Sequence, residues 1–194
     1  MVKFRPHIEQ PLTSPSRMIL DNLLPAAELY SLESDRVIPL TTGRDLRLAL
    51  KRYRIPASVM AMIASLSDRE LEHALGQRRL SGTMFVWYQC MRRYEHWLTK
   101  TIEADTRQYG ESVLPRFLSD RHMAMYAPEA WAILPSARIA SSICDWVSEH
   151  IQGTDNCRVK IYDFNQLRYD RWLDEHALRH DSDVLDFWFA KQYS

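Results

Sequence analysis

The sequence predicts a mainly α-helical protein: a single compact multi-helix domain built round one long central helix, with at most one short strand or hairpin. Three observations carry that prediction. Apolar residues recur at three- and four-residue steps over a long stretch near 83–108, the stripe of a helix packed along its length. Two Ser/Thr-x-x-Asp/Glu signatures, Thr42/Asp45 and Ser67/Glu70, have the spacing at which a side chain and a backbone N–H cap each other at a helix start. Only 5 glycines occur in 194 residues, which leaves little material for tight hairpins.

The chain is long enough for one domain, read as 1–194, and its 6 Trp, 9 Tyr and 6 Phe supply ample mass for a core. Residues 1–16 hold Pro6, Pro11 and Pro15 and are expected to form an extended arm, because proline removes the N–H that a helix interior needs. A short helix is expected from Arg17 to Leu24, and Pro25 and Pro39 punctuate the next stretch.

From Thr42 a helix is expected to bury Leu46, Leu50 and Tyr53 and to display Arg44, Arg47, Lys51 and Arg54 on its opposite face. Pro56 suits the first turn of a second helix through Met60, Ile63 and Ala64. The Ser67/Glu70 box starts a third, through Leu71 and Leu75 to Gly76.

The long helix, about Thr83–Gln108, carries Met84, Trp87, Met91, Tyr94 and Leu98 as its stripe. At 1.5 Å per residue it would be roughly 40 Å long, about the width of the domain. Pro115, Pro128 and Pro135 are expected to break the middle of the chain into short helices. An amphipathic helix over about Ser136–Gln152 then places Ile139, Ile143, Trp146 and His150 on one face, with Gly153 as its stop. Cys157–Tyr162 alternates apolar and polar residues and reads as one short strand. Helices near 164–179 and 183–191 close the chain.

Charge and cysteine usage narrow the function classes. Lys+Arg and Asp+Glu balance at 25 each, so no global field draws the protein to nucleic acid. Residues 1–55 hold 9 basic and 6 acidic side chains and residues 111–155 hold 3 and 6, a mild polarity that can orient a protein in an assembly. Cys90, Cys144 and Cys157 have no CxxC spacing, which implies buried free thiols in a reducing compartment. No apolar run comes after the charged start Met1–Pro6, and the longest largely apolar run, near 57–66, is too short to span a bilayer. A cytoplasmic protein, peripheral at a membrane only through partners, is expected.

The candidates for chemistry are few. His176 and His180 stand four apart on the expected 164–179 helix, a spacing that puts two imidazoles on one face and supports the alternative of a metal-dependent enzyme centred there. A zincin would require Glu after the first His, where Ala177 stands. The other expectation is a solvated polar face with His176 half-buried. No G-x-S-x-G elbow, P-loop or G-x-G-x-x-G occurs, and no catalytic residue, metal or cofactor is assigned.

The basic face Arg44/Arg47/Lys51/Arg54 supports a second alternative, a nucleic-acid-binding regulator that uses helices at 42–80 in a helix-turn-helix manner. Against it stand Asp68, Glu70 and Glu72 on the would-be recognition helix, which would face phosphates. An acidic protein partner suits the same face. Phe187-Trp188-Phe189 near the C-terminus is either a lid on the core or an anchor for a partner.

Two stretches carry a family resemblance. Phe4-Arg5-Pro6 with Pro15-Ser16-Arg17-Met18 is similar to an F-x-P opening and a later P-x-R-L. Tyr53-Arg54-Ile55-Pro56, with Val59, Met62-Ile63-Ala64 and the Arg69–Leu75 segment, is similar to an aromatic-x-x-L-P step before an apolar and then a Leu/Arg-rich helix. Over about a quarter of its length the chain thus resembles the K-component family of the type III secretion sorting platform. The resemblance implies a cytosolic, non-catalytic adaptor beneath the inner-membrane ring of an injectisome, linking the ring protein to the pod protein. On that reading Arg17, Arg44, Arg47, Lys51, Arg54, Phe187 and Trp188 are the candidate protein-binding residues.

Overall fold

The structure is a computed structural model that describes residues 41–80, 82–154 and 158–193. The expected arm, the helix at 17–24 and the candidate contact Arg17 lie outside the described residues, as does Cys157. Nine helices and a two-stranded sheet occur among those described, so the chain is mainly α.

Both capping boxes form. Helix α1 (Gly43–Arg52) starts where the Thr42 hydroxyl accepts from the Asp45 N–H at 3.3 Å and the Asp45 carboxylate accepts from the Thr42 N–H at 2.7 Å. Helix α2 (Ala57–Ile63) is short, and Pro56 stands at its N-cap, one position before the expected first turn. Helix α3 (Asp68–Gly76) begins at the Ser67/Glu70 box, with bonds of 2.7 and 3.3 Å.

With so few glycines, the chain ends helices on residues that carry a Cβ. Arg54, Ser65 and Ala177 adopt φ of 56°, 55° and 51°, and the next residue in each case closes a bond back to the helix: Ile55 N–H to Leu50 O at 2.9 Å, Leu66 N–H to Ala61 O at 2.9 Å, and Leu178 N–H to Leu173 O at 3.0 Å. These are Schellman closures of the kind glycine makes without strain. A Cβ in the left-handed region costs roughly 1–2 kcal/mol.

Glycine is indispensable at Gly43. A Cβ there would sit 2.3 Å from the Ala74 carbonyl oxygen and 2.6 Å from the Leu75 backbone. The close approach is stapled by the Gly43 N–H donating to Gln77 O (2.9 Å) and the Leu80 N–H donating to Thr41 O (2.7 Å). The start of α1 is therefore locked against the end of α3.

Helix α4 (Gly82–Tyr109) is the expected strut, one residue longer at each end than its stripe suggests. Met84, Trp87, Met91, Tyr94 and Leu98 are buried as expected, joined by Cys90 and Ile102. Gly110, at φ 80°, turns the chain into strand β1 (Glu111–Arg116). Pro115, expected to break helices, lies inside this strand instead, next to its last residue. A missing N–H is tolerated there because a two-stranded sheet consists of edges.

Three helices form the crossover from β1: α5 (Asp120–Tyr126), α6 (Pro128–Ile133) and α7 (Ala137–Thr154). Helix α7 runs through Gly153, which does not stop it. Strand β2 (Arg158–Asp163) then pairs with β1 in parallel, in register from Glu111↔Arg158 to Arg116↔Asp163. The expected strand thus has a partner brought by a crossover, where a hairpin was the sequence alternative. Helix α7 packs along α4, β1 packs on α4, and α1 and α6 reach the same strut.

Helix α8 (Gln166–His176) is shorter than the expected 164–179 because Ala177 turns left-handed, and α9 (Ser182–Tyr193) ends the described chain. Phe164, just after β2, is the hub of an aromatic layer. Its ring centroid lies 5.1 Å from Phe117, 4.8 Å from Tyr126, 5.7 Å from Tyr169 and 6.2 Å from Phe189. The buried apolar side chains of the described residues form one cluster from Leu46 to Phe189.

Two glycine exchanges of opposite sign separate the crowded crossing from the strained turns. Gly43→Ala is expected to destabilise by about 3 kcal/mol, the upper part of the overpacking range, because backbone atoms must yield. Ser65→Gly is expected to stabilise by up to about 1 kcal/mol, the relieved strain less the entropy gained by the unfolded chain. Urea unfolding of the two variants beside the parent chain reads both effects.

Candidate protein-binding surface

The inner side of α1 is fixed by burial of Leu46, Ala49 and Leu50, with Tyr53 buried just beyond its end. The outward face is fixed in turn. Arg44, Arg47, Leu48 and Lys51 are all exposed, at positions i, i+3, i+4 and i+7 of one helix, so they form a single stripe. Leu48, 52% exposed, sits in the middle of three cations. Its exposure breaks the simple apolar-in, basic-out pattern that the sequence suggests, and Leu48 is the residue of this surface that periodicity alone passes over.

Arg54 does not belong to the stripe. It lies beyond the end of α1 at φ 56°, and its guanidinium makes a two-pronged pair with Glu149 of α7 at 3.0 and 2.8 Å. The expected four-residue basic face is therefore three residues of α1, and Arg54 connects α1 to α7. Arg52, though exposed, is also engaged with its neighbours: it reaches Glu95 at 3.5 Å and stands 5.3 Å from the ring centroid of Trp146. The Tyr53 hydroxyl donates to the other Glu95 oxygen at 2.9 Å, and Arg92 pairs with Glu95 as well. Burial first, and Glu95 second, push the Tyr53 hydroxyl up to about 12. His150, expected on the apolar face of α7, is exposed and stacks on Trp146 with centroids 4.6 Å apart.

The C-terminal aromatics divide between core and surface. Trp188 and Phe189 are each 1% exposed, whereas Phe187 is 58% exposed. One residue's step round a helix separates lid from surface. The Phe187 ring centroid lies 6.2 Å from Trp172, on which His176 also rests at 4.9 Å. Of the two aromatic contacts expected from sequence, Phe187 is available to a partner and Trp188 belongs to the core.

The two C-terminal imidazoles do not share a helix face. Helix α8 ends at His176, and the left-handed turn at Ala177 takes His180 off the i, i+4 register. His176 is exposed, where half-burial was expected, and its Nδ1–H donates to the Trp172 carbonyl at 2.9 Å. His180 lies among Tyr126, Tyr169 and Asp170. The Tyr169 hydroxyl is 2.8 Å from its Nδ1, and its ring meets Tyr126 edge-on at 5.1 Å. Among the described residues, no three His, Cys, Asp or Glu side chains gather in a metal-ligating group.

The two described thiols, Cys90 and Cys144, are buried. Burial pushes Cys90 up to about 11 and Cys144 up to about 12, well away from the thiolate form that a nucleophile needs. Cys144 borders a crevice with Tyr94, Phe117 and Ser141 that has room for about one water molecule. No described helix is long and apolar enough to cross a membrane. No protein family matches the chain, and no curated protein does.

The split of the C-terminal aromatics is readable in stability. Trp188→Ala should cost about 3–5 kcal/mol, the range for emptying a large aromatic from a core, and Phe187→Ser should stay within about 0.5 kcal/mol, as surface changes do; thermal unfolding separates them. Burial also holds the His180 imidazole below its ordinary pKa, against the opposing pull of Asp181 and Asp170. The unfolded chain then takes up the proton more readily than the folded one. Stability from this site is complete above about pH 6.5 and falls as pH drops towards the folded pKa. His180→Gln is expected to flatten the loss that sets in as pH falls below about 6.5 in urea titrations; a slope equal to that of the parent chain would contradict the assignment.

Proposed function

We propose that this chain is a non-catalytic adaptor that joins other proteins, and that the outward stripe of α1 is one of its contacts. The observation that carries the reading is the stripe itself: Arg44, Arg47 and Lys51 surround the exposed Leu48 on a helix whose other face is buried. Cations round an apolar centre make a surface of the kind that protein partners use. Rim charges steer encounter and set orientation, and the central apolar contact supplies affinity.

The resemblance to the K-component family supports the same reading and suggests the partners, namely the ring and pod proteins of a type III secretion apparatus. In that setting the adaptor is cytoplasmic and reaches the inner membrane through its partners. Phe187, exposed over Trp172, is the candidate for a second contact. The chain's even charge balance suits a protein held by local complementarity better than one held by a long-range field.

Capture of purified ring and pod components on the immobilised chain tests the proposal. The expected result is binding of at least one component, weakened about tenfold or more by the triple variant Arg44→Glu, Arg47→Glu, Lys51→Glu with its circular dichroism unchanged. Arg54→Glu, which disturbs the pair with Glu149 instead, should weaken capture far less. Failure of the parent chain to hold either component would sink the proposed setting, and undiminished capture by the triple variant would remove α1 from it.

A further inference from the structure

We propose that the element recognised by α1 is an acidic amphipathic α-helix, with an apolar residue at its centre flanked by carboxylates. The inference rests on the adaptor reading and specifies the partner of the same surface.

Three features point to this occupant. The stripe Arg44, Arg47, Leu48, Lys51 occupies two turns of one helix, about 10 Å from first to last at 1.5 Å per residue. That is the footprint of one side of a helix crossing or lying along it, in which a partner side chain beside Leu48 sits between the aliphatic stems of the basic residues. Leu48, more than half exposed, loses its contact with water only against an apolar group. A phosphate backbone offers none. An extended strand would need an unpaired backbone edge, whereas the backbone of α1 is committed to its own helix, capped at the start and closed by Ile55 N–H to Leu50 O at the end.

Charge complementarity sets the register of the partner. Carboxylates one turn to either side of its central apolar residue would reach Arg44 and Lys51, and a third at the adjoining position would reach Arg47. Such exposed pairs are individually weak, so the inferred contact is of modest affinity and falls with salt.

The test uses the full chain and designed peptides. One peptide is helix-forming with Leu between Glu residues at i, i+3 and i+7 spacing. A second carries Lys for each Glu, and a third is the acidic peptide with a central proline. A short DNA duplex is the remaining probe. Amide shifts in nuclear magnetic resonance titrations up to about 1 mM, the weak-binding limit, report the site. The expected result is shifts centred on residues 44–51 with the acidic helix, at least tenfold weaker binding with the proline peptide, and loss of affinity with Leu48→Gln. The triple variant Arg44→Glu, Arg47→Glu, Lys51→Glu should exchange its preference to the Lys peptide. Binding of DNA to these residues more tightly than the acidic helix, equal binding of the proline peptide, or no shifts at 44–51 would each overturn the inference. If ring or pod components are captured while the peptides fail, the helix inference falls and the adaptor reading stands; if capture fails too, both fall.

Discussion

The packing of α4 against α7 organises the rest of the structure. Helix α4 sends Trp87, Cys90, Met91, Tyr94, Leu98 and Ile102 into the core, and α7 answers with Ile139, Ile143, Cys144 and Val147, all buried. A fully buried side chain of this kind contributes roughly 1.5–3 kcal/mol against exposure, so the interface between these two helices outweighs any cap or ion pair. Its position also fixes the topology. Strand β1 leaves α4 at Gly110 and lies back against it, α7 carries the chain across, and β2 then adds in parallel. Arg116 fastens that corner, pairing with Asp163 of β2 at 2.6 Å and with Asp145 of α7 at 3.2 Å.

Glycine scarcity shapes the helix ends. Three of them use Arg54, Ser65 and Ala177 in the left-handed region, a strain held in place by the hydrogen bond that closes each turn. At a crossing where backbones nearly touch, Gly43 is kept. Local cost is thus accepted at turns and avoided at a buried contact. A turn can relax outward into solvent, whereas Ala74 and Leu75 are backed by the core and cannot move away from an added methyl group.

Legibility in the sequence depends on whether a signal is periodic or positional. The α4 stripe and both capping boxes are local patterns, repeated or paired within a few residues, and they stand in the structure where the sequence puts them. Strand β1 escapes such a reading because Glu111–Arg116 contains a proline and no clean alternation; it is a strand by virtue of β2, which arrives more than forty residues later. Gly153 does not act as a stop because glycine is permitted, not obliged, to end a helix. The His176/His180 spacing fails for a related reason: an alanine takes the left-handed turn that sequence statistics reserve for glycine or asparagine. At the surface, three of the four basic residues stand where amphipathicity puts them. Arg54 does not, since its place is set by the turn and by Glu149, a partner 95 positions away.

The same anchoring suits α1 to the proposed role of recognition element although it is only 10 residues long. An isolated helix of that length would be marginal in water, and a partner would have to order it at binding. Here that ordering is completed on folding. The Thr42/Asp45 box holds the first turn, the Gly43 staple holds the start to α3, and Leu46, Ala49, Leu50 and Tyr53 hold the underside. Contact then has only the rotamer freedom of Arg44, Arg47 and Lys51 left to fix, about 0.5–1.5 kcal/mol for each side chain immobilised. Leu48, short and already constrained by its helix, loses less. In the proposed contact the three cations would orient the partner locally as it arrives and the central leucine would supply contact once it is seated, so charge would bear on the rate of encounter and apolar fit on its duration.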